Sequence, residues 1–227
     1  MHEEITDLAY FQTLVGDPDN IPLLETAASL AQDAYPGLDL QRVLSSVDYY
    51  AEQLGDRCRD ESTELGRLHL TVEFFYKGLA FSGNINDYYS PDNSFIHKVL
   101  ETRRGIPVTL AVVFIELARH VGLDGYGISF PGHFLVGVEL HQGAVVIDPF
   151  TGVSLSNEAL QERLEPFRGP LGLDGTGEIH PARFVQPASS REILLRMLRN
   201  LREIYNVNNQ QDCLQRVAAR LEILESA

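Results

Sequence analysis

Apolar residues recur with helical spacing through the first eighty positions. Leu23, Leu24, Ala27, Ala28 and Ala31 fall on one face, as an amphipathic helix requires. Asp19-Asn20 before Ile21-Pro22 is a start signal, and Pro36-Gly37 breaks the pattern. Leu40, Val43, Leu44, Val47 and Tyr50 form a second stripe. Leu65, Leu68, Leu70, Val72, Phe74, Phe75 and Leu79 form a third, which reads as a more deeply buried helix. Ser82-Gly83-Asn84 and Ser90-Pro91-Asp92-Asn93-Ser94 carry turn and capping chemistry. A short helix from Phe95 to about Thr102 follows. From Val108 to Val121 nearly every residue is apolar, the exceptions being Thr109, Glu116, Arg119 and His120. A helix apolar most of the way round is a central core helix. Pro107 suits its first turn and Gly122 its end.

The pattern then switches to short runs with β character: Tyr126 to Phe130, His133 to Leu140 and Ala144 to Ile147. His141-Gln142-Gly143 joins the last two as a hairpin connection, so a small antiparallel meander packs on the central helix. Ser156 starts a short helix. Residues 166 to 187 are rich in Gly and Pro and read as a linker. Ile193, Leu194, Met197, Leu198, Leu201 and Tyr205 form one stripe, and Leu214, Val217, Leu221 and Leu224 another. With Asn206 to Asn209 between them they make a helical hairpin, which resembles one tetratricopeptide unit. The expected class is α+β, with a helical N-terminal region over 1–90, a core over 91–165, the linker over 166–187 and the hairpin over 188–227.

Composition narrows the functional classes. The 227 residues suit one domain, or a core with a small helical appendage. The net charge of −14 argues against a phosphate-backbone partner and an anionic membrane surface, both of which need a basic face. No charged-then-apolar leader opens the sequence, and no apolar run approaches the roughly 18 residues of a membrane span. Cys58 and Cys213 lack CxxC or metal-ligand spacing and read as free thiols, so a cytoplasmic protein is the expectation. The seven histidines form no HxH or HExxH pattern, and there is no P-loop or GxGxxG; no metal and no cofactor are implied.

The chemistry concentrates in three blocks: Arg103-Arg104-Gly105-Ile106-Pro107 ahead of the apolar helix, Phe130-Pro131-Gly132-His133-Phe134, and Ile147-Asp148-Pro149-Phe150. A cysteine hydrolase or acyl transferase places its groups in this order. The helix N-terminus lowers the thiol pKa, and a carboxylate orients the imidazole. The stretch YYSPDNSFIHKVLETRRGIPVTLAVVFIELARHVGL, with FPGHFLVGV and VIDPFTG, closely resembles the bacterial SirB-type transglutaminase-like/TPR family over about residues 20 to 225. The resemblance implies a papain-like, transglutaminase-like core. Its superfamily pattern is Arg/Lys-Gly-x-Cys at the helix start, His on the next strand and Asp in an xDP turn. His133 is similar to that histidine and Asp148 to that aspartate, while Pro107 stands where the cysteine belongs.

Proline has no nucleophile, so thiol acyl transfer cannot start there. Thr109, two residues on, is a candidate substitute, or a helix residue whose hydroxyl satisfies nearby backbone. His133 has three readings: a structural partner of Asp148, a group in a ligand pocket, or a general base. A direct His133–Asp148 hydrogen bond is expected. Arg103 and Arg104 precede a helix start, where anions are favoured, and read either as a clamp for a ligand beside Pro107 or as solvated surface. The leading functional expectation is a non-catalytic module binding a protein or peptide. The alternative is an amide hydrolase or acyl transferase that works through His133 and Asp148 with another nucleophile or activated water. The oligomeric state is left open.

Overall fold

The protein is seen in a computed structural model that describes residues 6–171 and 180–226. Helices α1 (Asp7–Leu14), α2 (Leu23–Ser29), α3 (Leu40–Cys58), α4 (Glu64–Glu73) and α5 (Ile96–Thr102) lead to the central α6 (Pro107–His120). Between them lie two short strands, β1 (Ser82–Gly83) and β2 (Arg104–Gly105), which pair in parallel. After α6 the chain forms an antiparallel sheet in sequential order: β3 (Asp124–Ile128), β4 (Leu135–Glu139), β5 (Val145–Asp148) and β6 (Val153–Leu155). Then follow α7 (Asn157–Leu164) and the hairpin of α8 (Ser190–Val207) and α9 (Gln211–Ser226). The fold is α+β, as the periodicity predicts.

Helix α6 is central because it has almost no polar face. Pro107 through Ile115 are buried without interruption, and so are Leu117 and Ala118. Helix α3 packs on one side of it and strands β3 and β4 on another. Gly122, at φ 74°, stops it in the left-handed region that glycine enters without cost. One apolar cluster runs from Phe11 in α1 to Leu224 in α9. A smaller one behind the sheet joins Ile128, Phe130, Leu135 and Val146 to Leu160 and Leu164 of α7. That second cluster sets α7 against β5, which matters for the site.

The C-terminal hairpin is fastened at both ends. Ser189 and Glu192 form a reciprocal capping box at the start of α8, and Ala188 bridges to Gly127 of β3. In α9, Arg220 is 1% exposed, bonds both carboxylate oxygens of Asp33 at 2.7 and 3.0 Å, and lies 4.8 Å from the Phe11 ring centroid.

Several local readings change. Asn20 bonds the Asp17 side chain at 2.8 Å and closes a turn, while α2 starts at Leu23 without a side-chain cap. The third stripe is buried only along Leu68, Thr71, Phe74 and Phe75, with Leu65 exposed, and its last turn widens to a π-helix over Phe74–Gly78. The strand expected to begin at His133 begins at Leu135 instead. Here Gly132, at φ 71°, bends the chain, and the amide of His133 donates to the Phe130 carbonyl, closing a turn. Strands β1, β2 and β6 are too short to leave a period-2 signal. Of the 166–187 linker, residues 172–179 lie outside the described residues.

Candidate functional site

The β4–β5 register pairs Val136 with Ile147, which brings the turn before β4 beside the end of β5. His133 sits in that turn and Asp148 is the last residue of β5. Their side chains meet directly: His133 Nε2 and Asp148 Oδ1 are 2.9 Å apart. The Phe150 amide donates to the same oxygen at 2.9 Å, and Arg163 Nη2 of α7 donates to Asp148 Oδ2 at 2.9 Å. Asp148 therefore holds a backbone amide, an imidazole and a guanidinium. Its side chain is 3% exposed, that of His133 25%.

Burial alone raises a carboxyl pKa. Here the His133 contact, the Phe150 amide and the Arg163 guanidinium outweigh it and hold Asp148 below the usual carboxylate range. Asp148 is thus ionised near neutrality and accepts only. Nε2 must then carry the ring hydrogen, which leaves Nδ1 of a neutral His133 as a bare lone pair. Nδ1 makes no hydrogen bond among the described residues. Tyr76 closes the inner side: its hydroxyl donates to the Pro149 carbonyl at 3.1 Å, and burial and then the Asp148 charge keep it protonated, far above its ordinary value.

Glycines let the aromatic walls approach. A Cβ on Gly132 would lie 2.1 Å from the Phe167 ring, and one on Gly152, at φ 78°, 2.8 Å from the Tyr76 ring. Any side chain at either place would push an aromatic wall away from the His133–Asp148 pair.

The other candidates have different surroundings. Pro107 is buried at the first turn of α6. Thr109 is fully buried, and its hydroxyl has neither the backbone partner expected nor any other partner among the described residues. Sealed from solvent, it cannot meet a substrate, which removes it as a nucleophile. Arg103 is neither a solvated surface group nor an anion clamp beside Pro107. It ends α5 at φ 60°, lies 4.8 and 4.9 Å from the Tyr50 and Phe81 ring centroids, and donates to the Tyr50 hydroxyl at 2.6 Å. Arg104 donates to the carbonyls of Ala80 and Arg103 at 2.9 and 3.0 Å. Both arginines bind the β1–β2 bridge to its neighbours. Arg163 and Tyr76 escaped sequence reading because nothing marks a lone Arg on a short helix as a partner of Asp148, or a Tyr next to an apolar stripe as a partner of the Pro149 carbonyl. Among the described residues no group of three or more His, Cys, Asp or Glu could hold a metal ion, and no helix is long and apolar enough to cross a membrane.

Residues 41–199 match the sequence profile of the transglutaminase-like superfamily. The chain belongs to that superfamily. A UPF0162 protein of Xylella fastidiosa is 38% identical to it over 206 residues, 90% of this chain and 72% of that protein. A UPF0162 protein of Vibrio cholerae is 30% identical over 156 residues, 68% of this chain and 58% of that protein. Mouse F-box only protein 21 shares 39% identity over 61 residues, 27% of this chain and 10% of that protein. No solved structure matches. The transglutaminase-like match contains the start of α6 and both site strands, so His133, Asp148, Arg163 and Pro107 all lie inside it.

Proposed function

We propose that this transglutaminase-like chain is a non-catalytic module that binds a protein or peptide segment beside His133. The observation that carries the reading is Pro107 at the first turn of α6, where acyl transfer of the superfamily type needs a thiol. Thr109 cannot substitute, because it is sealed in the core. What remains is an imidazole fixed by Asp148 and Arg163, with Nδ1 free to accept a backbone N–H from an extended segment. The −14 charge favours a neutral or basic segment over a nucleic acid, and two unpaired thiols favour the cytoplasm. The RRGIP and FPGHF blocks support a place beside the SirB-type proteins, with α8–α9 as a tetratricopeptide-like unit.

The same ring favours a second reading. A neutral His133 with Nδ1 bare is equipped to take a proton from water, which would make the site an amide hydrolase without a protein nucleophile. Arrays of amide-capped decapeptides, probed with wild type and His133→Ala, separate the two. Sequence-selective retention lost in the variant, without release of amine, is the expected result. Amine release that depends on His133 moves the assignment to water activation. Neither retention nor release depending on His133 would sink both readings.

A further inference from the structure

His97 of α5 is 8% exposed, and both its ring nitrogens are sealed from solvent without a hydrogen-bond partner among the described residues. Aromatic neighbours hold the ring instead. Tyr35 packs edge-on to it with centroids 4.6 Å apart, and Phe95 lies 6.2 Å away with its plane tilted by 30°. A neutral imidazole tolerates such a place at some cost. A charged one does not, because an ion buried without a partner loses its hydration and regains nothing. Burial, then the neighbouring Lys98 charge, push the imidazole below its ordinary pKa, against the weaker upward pull of Glu101 and Asp92.

The groups around the ring show where a charged form would go. Lys98 stands over the Tyr35 ring, 5.1 Å from its centroid, and bonds Glu101 at 2.8 Å. The Tyr35 hydroxyl donates to Asp92 at 2.5 Å, so neither is open to the imidazole. On its other side His97 borders a cleft of about 500 Å³ between α3 and α5, although neither nitrogen reaches it in this arrangement. The charged and phenolic groups lining that cleft are Asp39, Arg42, Tyr50 and Glu101. Two carboxylates there face one guanidinium, and the space is wide enough for water and a turned ring. What the ring leaves behind matters to α5. Tyr35 and Asp92 tie this helix to the turn Pro91–Ser94, and in that turn the Asn93 carbonyl accepts the Ile106 amide at the start of α6.

We propose that His97 is an acid-released catch: the neutral ring fastens α5 against Tyr35 and Phe95, and on protonation it turns out into the α3–α5 cleft, where water and the carboxylates of Asp39 and Glu101 receive it and α5 loosens. The closed arrangement binds the proton less well than an open one. The catch is therefore fully closed above the ordinary imidazole value of about 6.5 and gives way as pH falls through the lower value of the closed ring. The proposal is independent of His133.

NMR of the whole protein from about pH 8 to about pH 5 tests it. The neutral His97 ring is expected to show through-space contacts with the Tyr35 and Phe95 rings, to titrate below about 6.5, and to lose those contacts once protonated. Over the same range the protection of α5 amides against hydrogen exchange should fall at least tenfold, while that of β4 amides holds. His97→Phe keeps an aromatic ring against Tyr35 and takes up no proton, so its α5 protection should hold throughout. The wild-type measurements decide the matter without the variant should it fail to fold. Several results would overturn the proposal: a His97 titration at or above 6.5, no titration before the protein unfolds, ring contacts kept by the protonated form, α5 and β4 losing protection together, or an equal loss of α5 protection in His97→Phe.

Discussion

Asp148 is the residue on which the His133 site depends, because it satisfies three donors at once. Asp148→Asn keeps the shape and removes the charge, leaving Arg163 with a neutral acceptor. The expected loss is about 2 kcal/mol, below the 3–5 of a fully buried broken pair because Arg163 is partly exposed. The pH dependence has a definite sign. Asp148 titrates lower in the folded than in the unfolded chain, so its contribution is full above about pH 4, the unfolded value, and vanishes as pH falls through the folded one. Urea unfolding at pH 7 and pH 3 should show the gap between wild type and Asp148→Asn narrowing in acid; a gap that widens refutes the assignment. Gly132→Ala should cost about 2 kcal/mol, from the left-handed backbone and the displaced Phe167 ring, and should weaken any His133-dependent binding. If it leaves both unchanged, the turn does not position His133. At this scale the sequence showed the His133–Asp148 pair, because both residues sit in turn-forming blocks. Arg163 is fifteen positions beyond Asp148 and reaches it only through the packing of α7 on the sheet.

The decisive element is α6. Its uninterrupted apolar sequence made its central place legible, and Pro107 marked its start. Its setting was less legible, because the β1–β2 bridge that fixes its N-terminus spans two residues a side and depends on contacts between distant segments. Pro107→Cys tests whether this start retains the geometry of a thiol site. The background should carry Cys58→Ala, since Cys58 is buried, and Cys213→Ser. Thiolate absorbance near 240 nm, read across pH, suits a buried position better than alkylation. The α6 N-terminus should hold the thiol below the ordinary value of about 8.5, against the burial that raises it. A value at or above 8.5 would show that Pro107 does not mark a lost nucleophile. Removing proline should itself cost at most about 1 kcal/mol, through a freer unfolded chain.

In the whole molecule, the Asp33–Arg220 pair joins α9 to the segment after α2, beside Phe11 of α1. Sequence patterns predicted the hairpin but not this attachment, since two charges 187 positions apart leave no periodic trace. Asp33→Ala strands a cation that is 1% exposed, and should cost about 3 kcal/mol in urea unfolding; a cost under 1 kcal/mol would show that the pair is dispensable. The distance in sequence also bears on how the chain reaches its structure. Closing a loop of 187 residues costs on the order of 4–5 kcal/mol of chain entropy before any contact repays it. Early folding therefore belongs to neighbours in sequence, such as the β3–β4–β5 meander and the α8–α9 hairpin. The Asp33–Arg220 closure is therefore expected after the rate-limiting barrier. Its loss should speed unfolding and leave the refolding rate nearly untouched. On this expectation the clasp that joins the two ends of the fold governs how long the native state lasts, and has little part in how quickly it forms.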